Sequence, residues 1–321
     1  MNQPIHLLLA IIKTARPRQW LKNLAVFAAL VFSGFFFYDP IDGYPYFILV
    51  SYAFVVFSVL TSGIYFINDI IDAEADRNHP FKRKRPIPSG ELPLPLAKMM
   101  AVGLIVIAML LSIPLSLFFK LLAFSYILLQ ILYSTKLKHI PILDVSAIAS
   151  GFLIRIYAGA VVVNLHMSVW FLLTVLSASL FLAVGKRQSE RTLLKGREGS
   201  ELGSTRAILK RYSQRLLDQY TGMFANSTWL TYALFAFQNE VSKPDLKVET
   251  FYSVLPKALH SQKLLMLTTP FVIIGVMRYL QLVYENNQGE SPERVLLNDK
   301  PLLFTVFSFG VLVMVVLYVL S

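Results

Sequence analysis

Cysteine is absent from the whole 321-residue chain, so neither a disulfide framework nor thiolate chemistry is open to it. Charge is also scarce. Only 15% of the residues are charged and 55% are hydrophobic, against about a quarter charged in soluble domains. That deficit excludes an ordinary water-soluble domain. The five histidines are scattered without metal-ligand spacing. No internal repeat, low-complexity stretch or core-sized loop is visible, so a single membrane-embedded domain over 1–321 is expected. The opening MNQPIHLLLAIIKTARPRQW has a short apolar run, bases that follow it, and no small-residue cleavage site. It reads as an interfacial helix leading into a first span rather than as a signal peptide.

What the chain has in abundance is apolar runs of membrane-crossing length, for which roughly 20 helical residues suffice. Nine are expected, at 23–38, 46–68, 96–114, 121–135, 143–163, 168–185, 220–238, 264–285 and 301–320. The fold class is therefore all-α, a polytopic bundle of about nine transmembrane helices. The net charge of +11 is of the sign that nucleic acid attracts, but its distribution argues against that partner. With the N-terminus inside, 24 bases fall on the inner side and five on the outer, and Arg155 within a span completes the 30. That asymmetry orients the chain in the lipid bilayer, with its charge-dense loops cytoplasmic and the cell inner (plasma) membrane as its place. The aromatics Phe35 to Tyr38 and Tyr44 to Phe47 read as an outer interfacial belt.

The densest charge lies in NDIIDAEADRNHPFKRKRPIPSG, residues 68–90. The second span runs into it with no breaker before Pro80, so its acids are expected on a helical extension. At about 100° per residue, Asn68, Asp69, Asp72 and Asp76 share one face within about 100° of arc, and Glu74 points away. Three carboxylates on one face repel unless a cation sits among them. Hard oxygen donors with no His or Cys suit Mg²⁺, which keeps waters and shares phosphate ligands. Four consecutive bases follow, Lys82 to Arg85. They are either topology anchors or, beside a metal site, cationic donors such as Lys82 and Arg85 for the oxygens of a magnesium diphosphate.

Other polar residues lie at span ends. Arg155 is placed inside the fifth span, where an arginine is costly and faces a partner or a wet cavity. It is expected either to pair with a buried acid or to face a phosphate. Eleven residues earlier, Asp144 shares its helix face and stands at a helix start, where an acid also needs no function. Tyr133 and Lys138 close the fourth span, and Lys136 there can be a simple anchor. Lys22 beside Asn23 opens the first span and can snorkel. Lys186 and Arg187 open the long inner loop, where Lys186 and Glu190 have the spacing of a surface pair.

Asn68-Asp69-x-x-Asp72-x-x-x-Asp76, followed by His79-Pro80-x-Lys82-x-x-Arg85-Pro86-Ile87-x-Ser89-Gly90, resembles the first aspartate-rich motif of the UbiA superfamily of membrane transferases. Further likeness is to its decaprenyl-phosphate phosphoribosyltransferase branch and extends over nearly the whole chain. It includes Arg16-Pro17-x-Gln19-Trp20-x-Lys22-Asn23, Tyr133-Ser134-x-x-Leu137-Lys138, Phe152-Leu153-x-Arg155 and Gly185-Lys186-Arg187-x-x-Glu190. Arg278-Tyr279 and Leu297-x-Asp299-Lys300-Pro301 also resemble it. The resemblance implies a UbiA-like fold and transfer of phosphoribose from 5-phosphoribosyl 1-diphosphate to a polyprenyl phosphate. It implies Mg²⁺ at Asn68, Asp69, Asp72 and Asp76, with Asp72, Asp76 and Asp144 catalytic. It further implies Lys22, Asn23, Lys82, Arg85, Tyr133, Lys138, Arg155, Lys186 and Arg187 as substrate-binding residues. A homo-oligomer is compatible with it. The second DxxxD motif of prenyltransferase members is incomplete here, because Asp144 is followed four residues later by Ile148. Two alternatives stay open: a prenyltransferase with an aromatic acceptor, and a non-catalytic carrier of anionic lipid or ion.

Overall fold

The computed structural model describes residues 3–78, 82–195, 211–239, 263–285 and 292–320. His79 and Pro80, expected at the turn after the acids, lie outside them, as do the loop bases Arg197, Arg206, Lys210, Lys243, Lys247 and Lys257. The described residues are all-helical, with no strand among them. In chain order the helices are α1 (Gln3–Ala15), α2 (Ala28–Phe32), α3 (Tyr46–Ile71), α4 (Ala73–Arg77), α5 (Pro86–Ser89), α6 (Leu94–Leu111) and α7 (Leu117–Thr135). Then come α8 (Leu143–Val162), α9 (Val169–Lys195), α10 (Gln214–Gln238), α11 (Thr269–Tyr284), α12 (Pro292–Asn298) and α13 (Lys300–Tyr318).

Helix starts follow the local chemistry. Proline stands at the N-cap of α3 (Pro45) and α6 (Pro93), where its missing N–H costs nothing. Polar caps start three others. Ser116 accepts from the Phe119 N–H of α7, Ser213 from the Leu216 N–H of α10, and Asp299 from the Leu302 N–H of α13.

Seven helices among the described residues are long and apolar enough to cross a membrane. They match seven of the nine expected runs. The run at 220–238 lies in α10, whose 25 residues are long enough but whose run carries Thr221, Asn226, Ser227, Thr228, Thr231 and Gln238 among the apolar positions. The run at 23–38 departs further. Pro17–Phe27 is an eleven-residue 3-10 helix, followed by the short α2. A 3-10 run of that length is uncommon. Irregular backbone is tolerated at membrane depth where protein covers it, and here Asn23, Val26, Ala29 and Leu30 are all buried.

The chain divides into two compact units. The first comprises residues 1–30, 35–165 and 199–212. Its core gathers Val50, Phe57, Leu60 and Ile64 of α3 with Ala108, Phe119, Ala123, Tyr126 and Ala158. A second cluster seats Ala10 of α1 on Phe66, Ile87, Leu92, Ala97 and Ala101. The second unit comprises residues 31–34, 166–198 and 213–321. It packs Phe181, Ala225, Tyr279, Leu282 and Leu302 together, and the Phe32 ring centroid lies 5.4 Å from that of Phe171, tilted, and 5.5 Å from that of Phe235, edge to face.

Gly159 of α8 is where the irregular first segment is admitted. A Cβ there would fall 1.8 Å from the Val26 carbonyl oxygen, a contact that only backbone movement can relieve. Gly159→Ala should therefore lower stability by about 1–3 kcal/mol, as overpacking does. Gly103→Ala on α6, where a Cβ meets nothing within 4 Å, should be neutral or mildly stabilising. Thermal melting of both variants in one detergent checks the contrast.

Candidate active site

The acid face forms at the end of α3. The helix stops at Ile71 rather than running on toward Pro80 as expected, with Asp72 as its C-cap and α4 as one further turn. The helical phase survives this break. The Asp72 N–H donates to the Asn68 carbonyl at 3.0 Å, and the Asp76 N–H to the Asp72 carbonyl at 2.8 Å. Asp69 and Asp76 are thereby buried, at 2% and 3% exposure, whereas Glu74 is exposed.

Two carboxylates this deeply placed require compensation, because desolvating each costs several kcal/mol. Three cations supply it, and a fourth pairs with the part-exposed Asp72. Arg16 Nη2 lies 2.5 Å from Asp69 Oδ1, and Arg85 Nη1 approaches the same oxygen at 3.0 Å. Arg85 Nη1 also lies 2.7 Å from Asp76 Oδ2, so one nitrogen bridges both acids. Lys82 Nζ stands 3.6 Å from Asp76 Oδ1, and Lys138 Nζ 2.5 Å from Asp72 Oδ1. The Ser134 hydroxyl donates to Asn68 Oδ1, and Tyr133 beside it is half-buried. The structure thus brings Asn68, Asp69, Asp72, Asp76, Lys82, Arg85 and Lys138 together. Among the described residues no three His, Asp or Glu side chains are gathered as a ready metal cage. The donor set is nonetheless all oxygen, the chemistry that suits Mg²⁺, and the acids are held by side chains that can turn away.

Asp144 is fully buried at the start of α8. Its partner is Tyr212, whose hydroxyl donates to Asp144 Oδ1 at 2.7 Å and accepts the Ile142 N–H at 2.6 Å. Ile142 is held at φ 72°, ψ −50°, a strained setting for a β-branched residue. The tyrosine fixes that turn.

Among the described residues no acid, Asp144 included, is a partner of Arg155. It is 5% exposed and donates to Asn23 Oδ1 at 2.9 Å, the Gly151 carbonyl at 2.8 Å and the Tyr126 hydroxyl at 2.7 Å. Its guanidinium lies 4.8 Å from the Tyr126 ring centroid and 5.5 Å from that of Phe152. Asn23 completes the cluster by donating to Ser58 and Thr61 of α3. Thr61 precedes Asp69 by eight residues, about 12 Å of helix. Asn23 and Arg155 therefore form a polar knot, one guanidinium charge among neutral partners, deeper along α3 than the acids. Lys22, next to Asn23, is half-buried.

Lys186 and Arg187 belong to the second unit. Arg187 is buried, and its Nη1 pairs with Glu190 Oε2 at 2.7 Å. Nearby, Asp218 Oδ1 accepts from Gln188, Gln214 and Tyr284. Arg278 grips both oxygens of Asp299 at 3.1 and 2.7 Å, and these hydrogen bonds hold the Asp299 carboxyl below its ordinary range.

Sequence reasoning missed Arg16, Ser134, Tyr126 and Tyr212 as site residues. Arg16 and Ser134 stand inside quoted motifs, so a signal existed. Tyr212 lies 68 residues from Asp144 and offered none.

Comparison with known proteins adds to this geometry. The profile of the UbiA prenyltransferase family matches residues 25–298. The chain is 34% identical over 319 residues to the decaprenyl-phosphate phosphoribosyltransferase of Corynebacterium glutamicum, covering 99% of this chain and 89% of that protein. It is 37% identical over 310 residues to the enzyme of the same name from Mycolicibacterium smegmatis, covering 93% and 89%. Among solved structures, a UbiA homolog from Archaeoglobus fulgidus bound to GPP and Mg2+ superposes with a TM-score of 0.67 at 16% identity, covering 96% of this chain and 99% of that one.

The Arg155 knot generates a prediction. Lysine cannot reproduce three hydrogen bonds from one planar group, so Arg155→Lys should cost about 1–3 kcal/mol of stability. A melting curve reads this directly. Unchanged melting together with lost activity would instead mean that the guanidinium serves a substrate.

Proposed function

The chain belongs to the UbiA prenyltransferase family, and within it we propose that the protein transfers phosphoribose from 5-phosphoribosyl 1-diphosphate to a polyprenyl phosphate. The products are polyprenyl-phosphoryl-5-phosphoribose and diphosphate. One observation carries the reading: Arg16, Lys82, Arg85 and Lys138 converge on Asp69, Asp72 and Asp76. Such a set is matched to a donor that brings a diphosphate and a further phosphate. The identity to decaprenyl-phosphate phosphoribosyltransferases over almost the full chain supports it.

In the proposed reaction the ribose C1–O bond to diphosphate breaks, and an oxygen of the acceptor phosphate bonds to C1. That phosphate is already ionised near neutral pH, so no strong general base is needed. This fits a face of acids and cations that has no histidine among its described residues. Asn68, Asp69, Asp72 and Asp76 would hold Mg²⁺, which when bound supplies positive charge for the departing diphosphate. Lys22, Lys82, Arg85 and Lys138 would hold phosphate oxygens, each contact worth on the order of 1.5–3 kcal/mol. Tyr133, half-buried beside Ser134, would line the same site, and Asp144 would act through the turn that Tyr212 fixes. Lys186 and Arg187 remain proposed substrate cations on family resemblance alone. The donor is soluble and polyanionic, so it would enter from the basic side, proposed as the cytoplasmic face of the inner membrane. A homo-oligomer is compatible with this reading.

A prenyltransferase reading draws on the Archaeoglobus fulgidus relative, a structure bound to GPP and Mg2+. It leaves the incomplete second acid motif at Asp144 unexplained. Purified protein incubated with Mg²⁺, labelled 5-phosphoribosyl 1-diphosphate and polyprenyl phosphate should give a labelled lipid. Asp72→Asn, folded, should abolish that product, whereas exposed Glu74→Ala should retain most of it. Full activity in Asp72→Asn would refute the acid-face assignment. No labelled lipid from the unaltered protein would refute the reaction.

A further inference from the structure

We propose that Arg16 is an exchangeable counter-ion of the acid face, held on Asp69 until a divalent cation takes its place and then released toward diphosphate. This inference rests on the acid face being the metal site.

Three observations support it. First, Arg16 and Arg85 both point a guanidinium nitrogen at one oxygen, Asp69 Oδ1, at 2.5 and 3.0 Å. Two guanidiniums on the same oxygen repel each other, so one is held less firmly than its short distance implies. Second, the two arginines are not equivalent. Arg85 also bridges to Asp76 at 2.7 Å and keeps a carboxylate if Asp69 is taken. Among the described residues, the only carboxylate paired with Arg16 is Asp69. Arg16 is thus the cation that a metal at Asp69 displaces first.

Third, Arg16 is set for a side-chain swing without moving a helix. It stands between α1 and the 3-10 helix, in the left-handed region at φ 52°, ψ 59°. Pro17 follows it, and a residue before proline is pushed away from right-handed helical settings. On one side α1 is anchored through Ala10 to the cluster of Phe66, Ile87 and Leu92. The backbone of Arg16 is thus fixed while its side chain remains about one quarter exposed, at 27%. The guanidinium also rests 5.1 Å from the Tyr65 ring centroid. That ring lies one turn below Asp69 on α3 and offers a cation a second resting place. The exchange leaves each charge with a partner: the metal takes the carboxylate, and the arginine takes the anion that arrives with it.

The exchange predicts opposite signs for two ligands. Mn²⁺ alone, followed by the loss of its free-ion paramagnetic signal, should bind Arg16→Gln about fivefold more tightly than the unaltered protein, since a competing charge is gone. Inorganic diphosphate in the presence of Mg²⁺ should bind the same variant about fivefold more weakly. Arg18→Gln, an exposed neighbour, should change neither affinity. Arg16→Asn, which suits a left-handed backbone, serves if Arg16→Gln fails to fold. Mn²⁺ binding that is unchanged or weaker in the folded variant overturns the exchange. Loss of Mn²⁺ binding in Asp72→Asn reports separately on the metal site, so failure of that assignment is told apart from failure of the exchange.

Discussion

Two carboxylates buried at the end of one membrane helix set the terms for the first unit. Asp69 and Asp76 are almost wholly removed from water, and an uncompensated charge there would cost several kcal/mol. Compensation has to come from elsewhere in the chain. It comes from Arg16 at the end of α1, Lys82 and Arg85 after α4, and, for Asp72, Lys138 after α7. Each cation reaches its acid only if its own segment is correctly placed. The acids thus tie α1, the loop after α4 and the end of α7 to the end of α3. The same arrangement suits a polyanionic substrate, because cations already gathered around carboxylates can be re-partnered with phosphate oxygens.

Periodicity carried much of this site. Hydrophobic length gave the long helices, and a period of 3.6 put Asn68, Asp69, Asp72 and Asp76 on one face, which the structure preserves across the break at Asp72. The spacing of Lys82 and Arg85 after a turn brought them into range as a local consequence. What stayed hidden depends on contacts distant in sequence or on exact backbone setting. Arg16 reaches Asp69 across 53 residues by way of a left-handed residue. The 3-10 form of Pro17–Phe27 is linked to the absence of a side chain at Gly159, over 130 residues further on. No periodic pattern encodes either. The buried Arg187 also reaches Glu190, a contact that surface spacing alone does not announce.

A second polar system, deeper in the same unit, is chemically different. Arg155 is held by an amide, a carbonyl and a phenol, with aromatic faces around it. Intramembrane arginine usually points to function. Here its contacts also join α8, α7 and, through Asn23, the irregular first segment to α3. One residue can serve both ends, since a guanidinium locked by neutral partners keeps its full positive charge. That charge lies about two turns of helix from the acid face and can add to the field felt by an anion there.

The central claim is that this face is built for a phosphorylated sugar diphosphate rather than for a prenyl diphosphate. The direct measurement is calorimetric titration of the purified protein, in Mg²⁺ and the same detergent, with 5-phosphoribosyl 1-diphosphate and separately with a prenyl diphosphate. The account predicts the tighter association for the phosphoribosyl donor, with a steep loss of affinity as salt is raised. Tighter binding of the prenyl diphosphate, with the phosphoribosyl donor weak or silent, would contradict it.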